Sequence, residues 1–323
     1  MRRQMGVALA LLVLVGGVSL CVGNYALTPS QMLQALGTLQ SPQGVVVTMR
    51  VVRLLAVVLV GASLSMAGAT YQAVFANGLA SPNVLGVATG ASVGAAFAIL
   101  CGWPLWAIEV AAFGSGLATV TLTLALSRLL PQGQTLTLVL AGMIAGGLAT
   151  SCLGVIKYVA DPEDQLQSIV FWELGSFAKV DATTLFVIAP VLLVAGGFLI
   201  AARWRLNALT LDDDAVRALG LSPRANRTAM VVAATLLTAA SVCLCGEIGW
   251  IGLIVPHLAR SLVGSDNRRV LPLTAVVGAA LLAVADTFAR SVSVNDIPLS
   301  IITGFIGVPV LIVILVRRQP LGL

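Results

Sequence analysis

Ten apolar runs, most of them about as long as a bilayer is thick, succeed one another along the chain with only short polar breaks. They lie near residues 5–25, 54–74, 85–101, 105–127, 136–158, 183–202, 228–245, 250–264, 271–289 and 298–316, the eighth being the shortest. A helix needs roughly 20 residues to cross the hydrocarbon layer. The runs are unbroken and rich in Leu, Ala, Val and Gly, without the alternating segments of about 10 residues that mark membrane strands. The expected fold is therefore all-α: a polytopic membrane protein with about ten transmembrane helices, residues 1–323 forming one integral domain. Composition excludes the soluble alternative, since 59% of residues are hydrophobic and 10% charged, against about 25% charged in soluble domains.

The first run follows Met-Arg-Arg-Gln and is longer than a signal-peptide core, with bulky Leu20 before Cys21 where a cleavage site needs small residues. It is read as a span. Basic residues accumulate on the cytoplasmic side. With ten spans and both termini inside, Arg2, Arg3, Arg128, Arg203, Arg205, Arg217, Arg224, Arg227, Arg260, Arg268, Arg269, Arg317 and Arg318 face the cytoplasm. Arg50, Arg53, Lys157, Lys179 and Arg290 face out, thirteen against five. The net charge of +5 then reflects membrane insertion and carries no nucleic-acid signal. Cys21, Cys101, Cys152, Cys243 and Cys245 sit in or beside apolar runs, without the spacing of a disulfide framework, a metal site or a redox site.

No nucleotide-binding loop of the GxxxxGK[ST] type occurs. Ionisable residues within the spans are few, Glu109, Glu247 and Asp286, whereas ion-driven transporters carry buried carboxylates along their pathways. Three longer connections remain. Asn24–Arg53 follows span one on the outer side. Residues 159–181, also outside, have an amphipathic middle expected to form a short surface helix, with Phe171 and Trp172 as membrane-edge anchors or partner contacts. The cytoplasmic stretch 206–227 places Asp212, Asp213 and Asp214 at a helix N-terminus, where carboxylates cap free N–H groups and oppose the dipole. Gly220 can end that helix and Pro223 begin the next, giving two short helices and an elbow.

Several stretches, in order, resemble the permease subunits of the bacterial importers for iron complexes and cobalamin, the type II ATP-binding-cassette importers. They are RLLAVVLVGASLSMAGATYQAVFANGLASPNVLGV from Arg53, LTLDDDAVRALGLS from Leu209, GEIGWIGLIVPHLAR from Gly246, GSDNRRVLPLTAVVGAALLAVADTFAR from Gly264 and IPLSIITGFIGVPVLIVIL from Ile297. The resemblance implies a homodimer enclosing a pathway, a cytoplasmic ATPase dimer that holds ATP and magnesium, an extracytoplasmic substrate-binding protein, and a place in the bacterial inner membrane. It implies no catalysis, metal or cofactor on this chain. Its cytoplasmic gate maps to Asn77, Leu79, Gln134 and Thr135, with Gly78 where the family usually has proline. Its coupling segment maps to Leu209, Ala215, Ala218, Leu219, Gly220 and Leu221, and its receptor-facing arginines to Arg50 and Arg290. Arg290 also follows Asp286 by four residues, the spacing of a helical ion pair. Family members carry ferric siderophores, haem, cobalamin or oxyanions such as molybdate.

The only histidine, His257, follows Pro256. No second ligand accompanies it, and metal coordination normally needs three or four. Pro256 and His257 are read together as a structural joint, the ring hydrogen-bonding a carbonyl that the proline frees. Glu247, where the family has a small or apolar residue, could touch cargo, pair with Lys157 or face water.

Overall fold

A computed structural model describes residues 2–23, 25, 28, 41–129, 134–293 and 296–318. Among them thirteen α-helices occur in chain order: α1 Arg2–Cys21, α2 Pro42–Val74, α3 Val87–Leu100, α4 Leu105–Leu129, α5 Gln134–Val159, α6 Gln165–Glu173, α7 Ala182–Ala201, α8 Arg203–Ala208, α9 Asp213–Ala218, α10 Pro223–Cys245, α11 Ile251–Val263, α12 Asn267–Val292 and α13 Leu299–Arg318. A 3-10 turn, Pro82–Leu85, precedes α3. Seven helices, α1, α2, α4, α5, α7, α10 and α12, are long and apolar enough to cross a membrane. The other three expected spans coincide with the shorter apolar helices α3, α11 and α13. The coarse expectation, an all-helical multi-pass membrane protein, is what the structure shows.

Helix α2 departs from the expected boundary. It begins at Pro42, where Ser41 accepts the Gly44 N–H at 3.0 Å, and runs 33 residues. Arg50 and Arg53 depress the hydropathy of its first turns, so the apolar run starts only at residue 54 while the helix starts twelve residues earlier. Both cations are satisfied within the fold, as described below. Residues 24, 26, 27 and 29–40 of the same connection lie outside the described residues.

Helices α2, α10 and α12 form the centre, and small residues set how closely they meet. On α2, Gly61 faces the Gly278 carbonyl of α12, where an added Cβ would come within 2.6 Å of the oxygen. Gly68 faces the Gly252 carbonyl of α11, where a Cβ would overlap the oxygen outright. Small residues permit such backbone approach in a bilayer, where no hydrophobic force drives one helix against another. Around this centre, Tyr71 of α2 is fully buried, stacks on Phe75 at 5.8 Å and shares a hydrogen bond with Thr235 of α10 at 2.9 Å.

The two ends of the bundle differ. One carries α8 and α9 and is called the elbow end; the other carries Arg50, Arg53, Asp286 and Arg290. The expected short helix in residues 159–181 is α6. Its following turn lies against the loop after α10, with the Ser176 N–H donating to the Cys245 carbonyl at 2.8 Å.

Candidate functional site

The elbow is built as capping chemistry requires. Asp212 accepts the Ala215 N–H at 2.9 Å to start α9, and Gly220, at φ +75°, supplies the left-handed residue that ends it. Ser222 then caps α10, with Pro223 in its first turn. The expected second short helix after Pro223 is a correction: Pro223 opens α10 itself, which continues to Cys245 without a break. A different short helix, α8, precedes the elbow.

Three ties fix these pieces to the bundle. Arg227 of α10 pairs with Asp213 of α9 at 2.7 Å. Arg205 of α8 donates to Asn226 of α10 at 3.1 Å. Asn207 of α8 donates to Asp266 at 2.7 Å and accepts the Asn267 N–H at 2.8 Å, joining α8 to the start of α12. The Asn207 hydrogen bond, ahead of that from the Arg268 backbone, holds the Asp266 carboxyl below the usual carboxylate range. That tie is complete above the ordinary carboxylate pKa and fails as pH falls through the lowered one.

The residues expected to couple divide by exposure. Ala218, Leu219 and Gly220 form an exposed tip, Leu219 being 59% exposed. Ala215 and Leu221 are half-buried. Leu209 is a correction, because it lies in the core with Leu206 and Val216 and presents nothing to a partner.

The turn after α2 holds the expected gate residues Asn77 and Leu79, both exposed. Helix α2 ends with Ala76 in the left-handed region, at φ +48°, and with the Asn77 N–H donating back to the Gln72 carbonyl at 3.1 Å. The Asn77 side chain then accepts the Leu79 N–H at 2.9 Å. His257, 3% exposed on α11, reaches the Gly78 carbonyl with Nε2 at 2.7 Å. A carbonyl only accepts, so the ring carries a proton on Nε2. Gly78 therefore does not leave the turn loose. Its carbonyl is held, and a Cβ there would meet His257 Cε1 at 3.0 Å. Gln134 and Thr135 begin α5, but their side chains lie outside the described residues.

The joint thus works differently from the expectation. Pro256 deprives the Gly252 carbonyl of its helical donor, and that carbonyl abuts Gly68 of α2. Gln72 of α2 donates to the next carbonyl, Leu253, at 3.0 Å, and itself accepts from Arg260. His257 donates instead to another element, the turn between α2 and α3. We expect His257→Leu to release this turn. A spin label at Asn77 should then show faster motion by electron paramagnetic resonance, and the loss of one hydrogen bond should cost about 0.5–1.5 kcal/mol. An unchanged spectrum would remove His257 from control of the turn.

At the other end, Arg50 is half-buried, Arg290 is buried, and both donate to backbone carbonyls of the chain. Arg50 Nη1 donates to the Leu20 carbonyl at 2.8 Å and Nη2 to the Tyr25 carbonyl at 2.5 Å. Arg290, 8% exposed, donates to Ser19 Oγ at 2.9 Å and to the Ser19 carbonyl. These cations close the carbonyl-rich C-terminus of α1, where positive charge opposes the dipole. The Asp286–Arg290 pair is present at 3.6 Å, yet Arg53, which carried no expected role, is the closer partner of Asp286 at 2.7 Å and also pairs with Asp296 at 2.7 Å.

Glu247 does not pair with Lys157. Lys157 is taken by Glu173 at 2.5 Å, and Glu247 accepts from Asn83 of the 3-10 turn. That turn lies against Gly142 of α5, while the Glu247 carbonyl accepts from Ser300 of α13 at 2.6 Å. The Asn83–Glu247 contact therefore bridges the elements beside α5 and α13. Asn83 escapes sequence reasoning because a polar residue in a Ser-Pro-Asn turn reads as turn chemistry; nothing in the sequence marks its distant partner.

The FecCD transport family matches residues 11–317. The molybdate import system permease protein MolB of Haemophilus influenzae is 35% identical over 97% of this chain and 95% of its own. The vitamin B12 import system permease protein BtuC of Klebsiella pneumoniae is 36% identical over 99% and 95%. A solved structure described as a metal-chelate type ABC transporter in an inward-facing conformation superposes with a TM-score of 0.87 at 34% identity, covering 98% of this chain and 99% of that one. Similarity of this extent takes in the central helices, the turn at Asn77, the elbow and the α11 joint together, and the chain belongs to the FecCD transport family.

Proposed function

We propose that this chain is the membrane-spanning subunit of a binding-protein-dependent importer, working as two copies with a cytoplasmic ATPase dimer and an extracytoplasmic binding protein, in a bacterial inner membrane with both termini inside. The observation that carries the reading is the elbow. An exposed tip at Ala218–Gly220 sits on a helix tied by Arg227–Asp213 to α10, and the neighbouring α8 is tied by Asn207–Asp266 to α12. A force applied to the tip reaches two central helices through short polar links. ATP and magnesium would sit on the partner, whose differential affinity for nucleotide in the two states supplies the energy. Asn77 and Leu79 would form the inner gate with Gln134 and Thr135, and Ala218, Leu219 and Gly220 the coupling surface.

The cargo we propose is a metal chelate such as a ferric siderophore, haem or cobalamin. The B12 permease and the metal-chelate type structure support it. The molybdate permease supports the second reading, an oxyanion. Vesicles containing the permease, its ATPase and its binding protein should accumulate one of cobalamin, ferric siderophore, haem or molybdate only when ATP is supplied. Accumulation driven by an ion gradient without the ATPase would overturn the importer reading. Accumulation of molybdate alone would overturn the chelate.

A further inference from the structure

Helices α4 and α7 both lie against α10, and each packs on α10 more than on the other. At the end away from the elbow they are joined, Thr184 of α7 donating to Glu109 of α4 at 3.3 Å. Towards the elbow a gap opens between them, beside Pro190 within the unbroken α7. The gap is a cavity of 1140 Å³ whose floor is the α10 face carrying Ala225, Ala229, Val232 and Ala233 and whose walls include Phe113 and Val194. Along α10 it runs from Ser222 to Leu236, about 20 Å at roughly 1.5 Å per residue, more than half of the roughly 30 Å hydrocarbon core.

The elbow end of this groove is basic. A second cavity shares Arg224 and Thr228 with the first and adds Arg128, Ser127 and Arg227. Arg227 is committed to Asp213. Arg128 and Arg224 are exposed and, among the described residues, neither has a carboxylate within ion-pair distance. No acidic residue is among those lining either cavity. We propose that this groove binds an anionic phospholipid from the leaflet at the elbow end, one acyl chain lying on α10 between α4 and α7 and the phosphate on Arg128 and Arg224.

The occupant follows from the two halves together. An apolar groove of this length, with α4 and α7 joined beyond its far end, suits an unbranched hydrocarbon chain. Guanidinium forks at its mouth match phosphate oxygens in geometry and charge, and hydroxyls from Ser127 and Thr228 stand beside them. A second protein helix in the groove would leave the two arginines without an anion. The site is independent of the importer reading, requiring only that the helices span a membrane.

Native mass spectrometry of the intact permease, released from detergent with equal phosphatidylglycerol and phosphatidylcholine, tests it. Phosphatidylglycerol should be retained preferentially, by roughly thirtyfold for two arginines at the headgroup level. The Arg128→Gln/Arg224→Gln variant should bring that preference close to one while still binding a lipid. Ala229→Phe should reduce retention of both lipids by filling the floor. Added inorganic phosphate should displace neither, since the acyl chain anchors the ligand. The proposal is overturned if the wild-type protein shows no headgroup preference, if the double variant keeps it, if phosphate displaces the lipid, or if the filled groove binds as much lipid as before.

Discussion

Asp286→Ala is expected to leave little folded protein in the membrane. The carboxylate, 3% exposed on α12, accepts from Arg53 Nε at 3.0 and 3.2 Å and from Nη2 at 2.7 Å, with Arg290 Nε 3.6 Å away. Arg53 reaches on to Asp296. Two cations and two anions thus balance where α2 and α12 meet, and Arg290 in turn holds the end of α1 through Ser19. Truncating Asp286 strands Arg290 and halves the anionic charge facing Arg53. Removing one partner of a buried pair costs about 3–5 kcal/mol because the remaining charge is desolvated and uncompensated, a large share of the roughly 5–15 kcal/mol that holds a typical domain together. Fluorescence-detected size exclusion after graded heating checks this: the variant should show low yield and early loss of the monodisperse peak. Arg53→Met combined with Asp286→Leu should recover part of the loss, since an apolar pair of similar volume avoids one of the stranded charges. A single variant as heat-stable as the wild type would show that the network holds nothing together.

Where the sequence is legible, a short-range rule governs the outcome. Asp212, Gly220, Ser222 and Pro223 act within four residues of themselves, so the start and end of α9 can be read directly. Apolar runs of bilayer length locate the helices for the same reason. The start of α2 is hidden because Arg50 and Arg53 look like the edge of the membrane until their partners, 233 residues away in the case of Asp286, are known. His257 reads as structural, but its partner Gly78 lies 179 residues earlier. A proline at 256 suggests a local carbonyl as that partner, and the carbonyl is instead covered by Gly68, whose lack of a side chain reads in sequence only as general helix contact. Arg50 and Arg290 likewise have intrachain partners that the sequence hides. Position along a family pattern gives them a surface role, while the C-terminus of α1 offers unpaired carbonyls that a nearby guanidinium satisfies.

The bundle therefore has two ends of different character. At one, α1, α2 and α12 are locked by buried charge. At the other, hydrogen bonds and the partly exposed Arg227–Asp213 pair join the short helices α8 and α9 to α10 and α12, and exposed pairs are worth about 0–1 kcal/mol each. The His257 contact joins the turn at Asn77 to α11 at the elbow end.

The last expected result separates a coupling surface from a connecting loop. Ala218→Asp combined with Leu219→Asp should reduce ATP-driven uptake to the level without ATPase, with the permease inserted and stable. Both side chains are exposed, so the substitutions should move stability by no more than about 0.5 kcal/mol. Asp212 still caps α9, Arg227 still pairs with Asp213, and Val216 beneath them remains fully buried. Against a partner, however, Leu219 is the one large apolar side chain on the tip, and a carboxylate buried there without a counter-charge costs at least the roughly 2 kcal/mol of an interface hot spot, about thirtyfold in affinity. Leu209→Asp makes the contrast, since that side chain is 2% exposed in the core and the variant should fail to fold. Measured together, ATPase co-purification, thermal stability and vesicle uptake distinguish the outcomes. Loss of co-purification and uptake at unchanged stability assigns the tip to coupling; normal uptake by the double variant would make the elbow a loop and withdraw the observation on which the importer reading rests.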